Sequence, residues 1–272
     1  MTAEHGDSGE TGLVTISVIL PTHDELANLQ VLLPRLQTAL AGESCEFIVV
    51  DDASSDGSVE WLTSRAAADA RVRPIFGDAL RGIGHALRRG YDAARGEIIV
   101  SVDADLSFDP AVAPALVAAI RAGADLVIGS RHHPDGRYDA PNATIARKRF
   151  VSRSANRLLA ALIPVGVHDF SVNCRAVRRS LWARLSLEER TNIWLIEMIV
   201  AAACLRARLG EVPVRFKDRE FGESKLRLGR EILLTGYRVL AMIGRYWRAR
   251  LTAPAAPITP PGASRRGTDK GE

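Results

Sequence analysis

Cysteine is scarce in this chain, and long apolar runs are missing from it. Three cysteines, Cys45, Cys174 and Cys204, are an odd number with no C-x-x-C spacing. Neither a disulfide framework nor a cysteine-built zinc site is therefore suggested, and small buried hydrophobes in a reducing compartment is the expected role. No uninterrupted apolar stretch approaches the roughly 18 residues that a membrane span needs. Ala111 to Ile120 stops at Arg121, and Ile193 to Leu205 contains Glu197. Met1 to Gly12 has neither a basic start nor an apolar core, so no secretory signal is expected there and the chain is read as cytoplasmic. Charge of either sign is nearly balanced: 36 Lys and Arg against 32 Asp and Glu leave +4 over 272 residues. With 47% hydrophobic and 25% charged residues, the chain has enough apolar surface for a core, which excludes disorder over its whole length.

What is present alternates. Short β-branched runs at Val14 to Leu20, Glu46 to Val50, Val72 to Phe76, Glu97 to Val102 and Asp125 to Ile128 read as strands. Helical stretches at Leu26 to Leu40, Ser58 to Ala70, Ile83 to Ala94 and Ala111 to Ala122 separate them, which is the pattern of βαβ units and a mostly parallel sheet flanked by helices. The second half predicts helices over Ala143 to Leu162, Asn192 to Leu209 and Leu228 to Arg250, with a strand at Val212 to Phe216. We divide the chain into a flexible start (1–12), an α/β domain (13–227), an amphipathic helix (228–251) that packs on the domain or on a membrane, and a Pro-rich disordered tail (252–272).

In open α/β sheets, ligands bind beyond the carboxyl ends of the strands. Those ends are acidic here: P-T-H-D-E (Pro21 to Glu25) follows the first strand, Asp51 and Asp52 the second, and D-A-D (Asp103 to Asp105) the fourth. An aspartate after a strand often caps the next helix, and Asp24 and Asp56 suit that role. Carboxylates gathered at several strand ends repel one another unless a cation or donor intervenes. The D-A-D pair could reach one hard divalent ion, Mg²⁺ or Mn²⁺, that keeps sites open for phosphate oxygens. R-G-I-G-H-A-L-R-R-G (Arg81 to Gly90) fails as a dinucleotide fingerprint because Leu87 stands where the third glycine belongs. It reads instead as a tight turn opening a helix, with amides available to an anion or a sugar.

Basic residues collect further on. Between Arg131 and Arg157 there are seven (Arg131, Arg137, Arg147, Lys148, Arg149, Arg153, Arg157) against the two acids Asp135 and Asp139. Ser152 and Asn156 share a helical face with Lys148 or Arg149, a grouping suited to a phosphate as well as to a solvated surface. Phe150 is the one aromatic in the cluster and no nucleic-acid module is present, which argues against a nucleic-acid partner. The last helix sets Tyr246 and Trp247 among Arg230, Arg238, Arg245, Arg248 and Arg250, a pattern of core packing or of a helix lying on an anionic membrane surface.

The motifs P-T-x-(N/D)-E, V-V-D-D-x-S-x-D-G, D-A-D-L-S, G-S-R, S-R-x-A-N, E-M-I-V and G-E-V-P-V-x-F-x-D-R-x-x-G-E-S-K-L occur here in the order of the family 2 glycosyltransferases. From about Val14 to Arg250 the chain resembles, more narrowly, the dolichyl- or polyprenyl-phosphate mannose synthases. The resemblance implies a GT-A fold with a Rossmann-like nucleotide half and an acceptor half. It also implies GDP-mannose as donor, a polyprenyl monophosphate as acceptor, a divalent metal, inversion at the anomeric carbon, and work at the cytoplasmic membrane face. Matched motif by motif, Pro21, His23, Glu25, Val50 and Asp52 would contact the nucleoside. Asp103, Ala104 and Asp105 would meet the diphosphate, the two aspartates through the metal. Arg131, Arg219 and Lys225 would neutralise phosphates, and Lys148, Arg149, Ser152 and Arg153 would hold the acceptor phosphate.

Two stretches depart from the family pattern: His23-Asp24 replaces Tyr-Asn, and S-V-N-C-R (Ser171 to Arg175) replaces T-(S/G)-G-F-R. No Ser-His-Asp arrangement is seen, and none is required. A phosphate monoester with a second pKa of about 6 is already a dianionic nucleophile at neutral pH. Rival readings from the residues alone are a UDP-sugar donor, a nucleotidyltransferase that would release pyrophosphate, and a non-catalytic membrane-binding protein.

Overall fold

The computed structural model describes residues 14–139, 143–217 and 228–252. The start expected to be flexible, nearly all of the expected tail, and Arg219 and Lys225 lie outside the described residues.

Four β-strands and their crossover helices build the first half: β1 (Ile16–Thr22), α1 (Leu26–Ala39), β2 (Cys45–Asp51), α2 (Ser58–Ala68), β3 (Val72–Phe76), α3 (Ile83–Ala93), β4 (Ile98–Val102) and α4 (Val112–Arg121). β5 (Leu126–Ser130), the two-residue β6 (Arg137–Tyr138), α5 (Ala143–Leu162), β7 (Cys174–Arg178), the single turn α6 (Arg179–Trp182), α7 (Trp194–Cys204), β8 (Leu209–Pro213), β9 (Arg215–Phe216) and α8 (Leu228–Thr252) follow. One seven-stranded sheet runs in the order β3-β2-β1-β4-β7-β5-β8. All neighbours are parallel except β7, which is antiparallel to both β4 and β5. The expected mostly parallel α/β sheet is what forms. β4 and β5 are apolar without alternation because helices cover both faces, and both are buried at every position. Packing is close: a Cβ on Gly90 of α3 would lie 2.4 Å from Ile19 Cγ2 of β1.

The second half corrects three expectations. β7, read from sequence as neither strand nor helix, wedges between β4 and β5. The helix expected to reach Leu209 ends at Cys204, because Arg206 turns left-handed (φ 57°) and Leu209 already pairs with Leu126 of β5. The strand expected over Val212 to Phe216 is two strands in different sheets: β8 joins the main sheet, while β9 pairs with β6. α8 also runs two residues past Arg250, so Thr252 belongs to the helix rather than to the tail.

Candidate active site

β1, β2, β4 and β5 point the same way, so their carboxyl ends share one sheet edge, with the amino end of β7 between the last two. That edge is where the acidic motifs meet. Backbone strain concentrates there: Asp24, Ala53 and Leu106 adopt left-handed φ of 52°, 62° and 57° just after β1, β2 and β4. For residues with a side chain this conformation is costly and persists only where the surroundings enforce it.

The β1 and β2 ends hold each other. Asp24 N donates to Ser54 Oγ at 2.8 Å, and Ser55 N donates back to Asp24 Oδ1 at 2.7 Å. Asp56 accepts from Leu26 N at 2.8 Å and from Ser58 N at 3.0 Å, so one carboxylate serves the first turns of both α1 and α2. Asp56 thus takes the helix-capping role expected of it, while Asp24 instead pins the loop after β2. Pro21 stands opposite Val50 in register, and Val50 is fully buried in the core. His23 and Glu25 lie in the loop between, Glu25 accepting from Asn28 Nδ2 at 2.5 Å.

Asp52 answers which anion meets the glycine-rich turn. Its Oδ2 accepts from Arg81 N at 2.9 Å and Gly82 N at 2.7 Å, where Gly82 needs its positive φ of 92°. The chain's own carboxylate therefore takes up amides at the opening of α3. On the far side of this turn, a Cβ on Gly84 would lie 2.5 Å from the backbone of Arg190, so the loop after α6 seats directly on α3.

At β4 the D-A-D turn leaves Ala104 and Asp105 buried and Asp103 half-buried. Asp105 Oδ1 accepts from Ser107 N at 3.1 Å, and Asp103 Oδ1 accepts from Asn173 Nδ2 at 3.0 Å. Among the described residues no three His, Cys, Asp or Glu side chains gather to enclose a metal. Two carboxylates anchored in this way fit a hard divalent ion that takes its remaining ligands from a diphosphate and water.

After β5, Arg131 is held by contacts within the protein. Its Nε and Nη2 fork onto Asp169 at 2.7 and 3.0 Å, Nη2 also reaches Ser171 Oγ at 3.1 Å, and the rings of Tyr138 and Phe216 lie 5.5 and 5.2 Å from its guanidinium carbon. Burial opposes ionisation of Asp169, yet the charge and hydrogen bonds of Arg131 outweigh it and hold the carboxyl below its ordinary range. Beside this cage opens a cavity of about 410 Å³ whose wall includes Arg131, His132, Arg137, Tyr138, Arg149 and Arg153. With Arg131 matched by Asp169, the positive character of the cavity comes from Arg137, Arg149 and Arg153. Burial pushes the His132 imidazole down, and its Nε2 lies 3.2 Å from Ser152 Oγ. Lys148 is exposed on α5 and is not in this wall. Asn156 is buried and supports the cage: its Oδ1 accepts from Phe170 N at 2.7 Å, next to Asp169.

The sequence thus located the carboxylates and the basic helix face, and the structure adds Asp169, His132, Tyr138 and Asn173. The S-V-N-C-R departure was the one signal pointing to Asn173. For Asp169 the sequence offered only an acid 38 residues from Arg131, with nothing to pair them.

Comparison with known proteins identifies the family. The model of "Glycosyl transferase family 2" matches residues 17–185. The chain is 34% identical over 225 residues to the undecaprenyl-phosphate mannosyltransferase of Micrococcus luteus, covering 79% of this chain and 88% of that one. It is 33% identical over 220 residues to the polyprenol monophosphomannose synthase of Mycolicibacterium smegmatis, covering 77% and 80%. Among solved structures, glucosyl-3-phosphoglycerate synthase from Mycobacterium tuberculosis, in complex with Mn²⁺, UDP and glucosyl-3-phosphoglycerate, shares the fold at a TM-score of 0.62 and 23% identity, over 86% of this chain and 80% of that one.

Proposed function

Since this chain belongs to the family 2 glycosyltransferases and is a glycosyltransferase of GT-A fold, we propose that it moves mannose from GDP-mannose to a polyprenyl monophosphate, with inversion at C1. The two mannosyltransferase relatives at 33% and 34% identity support the sugar and the acceptor. The observation that carries the reading is the division of one sheet edge into an anionic half at Asp103 and Asp105 and a cationic cavity at Arg137, Arg149 and Arg153, meeting at Arg131.

In this reading His23, Glu25 and Asp52 lie on the nucleoside side, Asp52 by shaping the turn at Gly82. Asp103 and Asp105 would hold Mg²⁺ or Mn²⁺ against the donor diphosphate, where the ion supplies charge stabilisation to the departing nucleoside diphosphate. Arg149 and Arg153 align the acceptor phosphate, with His132 and Ser152 offering hydrogen-bonding groups at its edge. The acceptor oxygen is already anionic, so the chain needs to align it with C1 rather than deprotonate it. Fixed cations and dipoles waiting at both phosphates then supply most of the rate. Arg219 and Lys225 complete the donor side by the family pattern.

Approach to a membrane-held acceptor is the role we give α5 and α8. No described helix is long and apolar enough to cross a membrane. α8 packs through Met242 and Tyr246 and leaves Tyr237, Leu240 and Leu251 exposed, while α5 exposes Phe150, Val151 and Leu158 among its arginines. Trp247 Nε1 donates to Leu162 O at 2.9 Å, joining the two helices on this side. Apolar side chains set among cations suit the cytoplasmic face of an anionic bilayer. Measuring which nucleoside diphosphate is released from a panel of sugar nucleotides, with and without polyprenyl phosphate, tests the reading. Acceptor-dependent GDP release supports it; UDP release shifts the donor, and pyrophosphate release rejects the class.

A further inference from the structure

Asn173 is buried, and the antiparallel insertion of β7 puts it where no parallel strand could. β4 and β7 pair Ser101 with Arg175 and Val102 with Cys174, and one further step of that register sets Asn173 opposite Asp103. Asn173 Nδ2 donates to Asp103 Oδ1 at 3.0 Å, its Oδ1 accepts from Ser101 Oγ at 2.7 Å, and Ser101 Oγ lies 2.8 Å from the Tyr91 hydroxyl. Chemistry fixes the direction of this chain. A carboxylate only accepts, so Asn173 must turn its amide NH₂ to Asp103 and its carbonyl oxygen to Ser101. Ser101 has a single proton and gives it to that oxygen, so Tyr91 must donate to Ser101. Burial pushes the Tyr91 phenol up to about 12, which keeps that proton in place. The ring itself is held between Trp182 and Trp194, with centroids 4.9 and 5.3 Å away.

We propose that Asn173 is a positioning residue that sets the carboxylate of Asp103 for the divalent ion, oriented in turn by Ser101 and Tyr91. This rests on the reading that Asp103 and Asp105 hold a metal-bound diphosphate. A neutral donor suits that role, because it fixes one oxygen of Asp103 without cancelling the negative charge that a cation needs, as an Arg or Lys would. Partners that orient a metal-binding carboxylate act through its affinity for the ion rather than through contact with substrate.

The experiment measures Mn²⁺ binding to the full chain with GDP present, from the free-Mn²⁺ electron paramagnetic resonance signal, for wild type, Asn173→Ala, Ser101→Ala, Tyr91→Phe and Asp105→Ala. Asn173→Ala is expected to weaken Mn²⁺ binding roughly 10–100-fold. Ser101→Ala should weaken it less, and Tyr91→Phe should stay within roughly threefold of wild type, as polarisation fades along the chain. Saturating Mn²⁺ should return kcat of Asn173→Ala toward wild type, with the acceptor KM unchanged. Wild-type Mn²⁺ affinity in Asn173→Ala, while Asp105→Ala loses it, overturns the proposal and leaves the metal reading intact. Equal losses in the three relay variants, together with a common fall in thermal stability, would also overturn it by showing a general packing role. Should Asp105→Ala bind Mn²⁺ as wild type does, the metal reading fails and takes the proposal with it.

Discussion

Arg131 and Asp169 form a two-pronged ion pair in which the carboxylate is fully buried and the guanidinium nearly so, with Nε to Oδ2 at 2.7 Å. The pair joins the end of β5 to the loop before β7, 38 residues later, and so closes one wall of the cationic cavity.

Breaking it should be expensive. Asp169→Asn leaves a buried guanidinium without its counter-ion and should cost roughly 3–5 kcal/mol. The sign with pH follows from the depressed carboxyl. In the unfolded chain Asp169 titrates near its ordinary 3.8, and in the folded protein lower. Its stabilisation is therefore complete above that ordinary value and is lost as pH falls through the folded one. Thermal unfolding from about pH 5 down to about pH 2 should show an acid-side loss of stability in wild type that is smaller in Asp169→Asn.

Asp105 tests the donor side. The residue is nearly buried, and it accepts a local hydrogen bond from Ser107 N. Asp105→Ala should abolish transfer while the far-ultraviolet circular dichroism and cooperative unfolding persist. Chelation of divalent ions from wild type should have the same effect, reversed by adding Mg²⁺ or Mn²⁺. Full activity of Asp105→Ala would remove the metal assignment.

Gly84 tests how the glycine-rich turn is held. A Cβ there meets the Arg190 carbon and oxygen at 2.5 and 2.6 Å and the Thr191 oxygen at 2.7 Å, all backbone atoms that cannot swing away. Gly84→Ala should push the loop off α3 at a cost of about 1–3 kcal/mol. Because Gly82 N binds Asp52, the donor KM should rise while the acceptor KM holds, as separate titrations of the two substrates would reveal.

The membrane face makes a prediction of its own. Tyr237, Leu240 and Leu251 are 78%, 65% and 83% exposed, so their substitution should spare the fold. Burying a large apolar side chain contributes roughly 1.5–3 kcal/mol, and losing two should weaken vesicle binding by roughly 100-fold to 10,000-fold. Sedimentation of Leu240→Ser/Leu251→Ser with anionic liposomes checks this, and undiminished binding would refute the role of α8.

Much of the fold was legible because β1 to β5 are short β-branched runs ended by acids or small polar residues. The carboxylates of the site could be named for the same reason. β7 was not legible: C-R-A-V-R carries two arginines, and a period-two reading does not place charge in a buried strand. Arg175 is nevertheless fully buried, giving Nε and Nη2 to Val172 O and Nη1 to Leu195 O, so backbone carbonyls satisfy a charge inside the sheet. The same gap hid Asn173, whose meaning depends on standing opposite Asp103. The turn at Arg81 to Gly90 was legible as a helix start with amides open to an anion or a sugar, but only the fold shows that Asp52 is an anion it meets.

Mannosyl transfer to a lipid phosphate can be measured directly, with the full-length chain incubated with GDP-mannose labelled in the sugar, a polyprenyl phosphate and Mg²⁺ or Mn²⁺, followed by organic extraction. Label is expected in the organic phase, only when the lipid phosphate is present, and released as free mannose by mild acid. Label that stays in the aqueous phase, from a chain that remains folded and binds GDP, would contradict the proposed function.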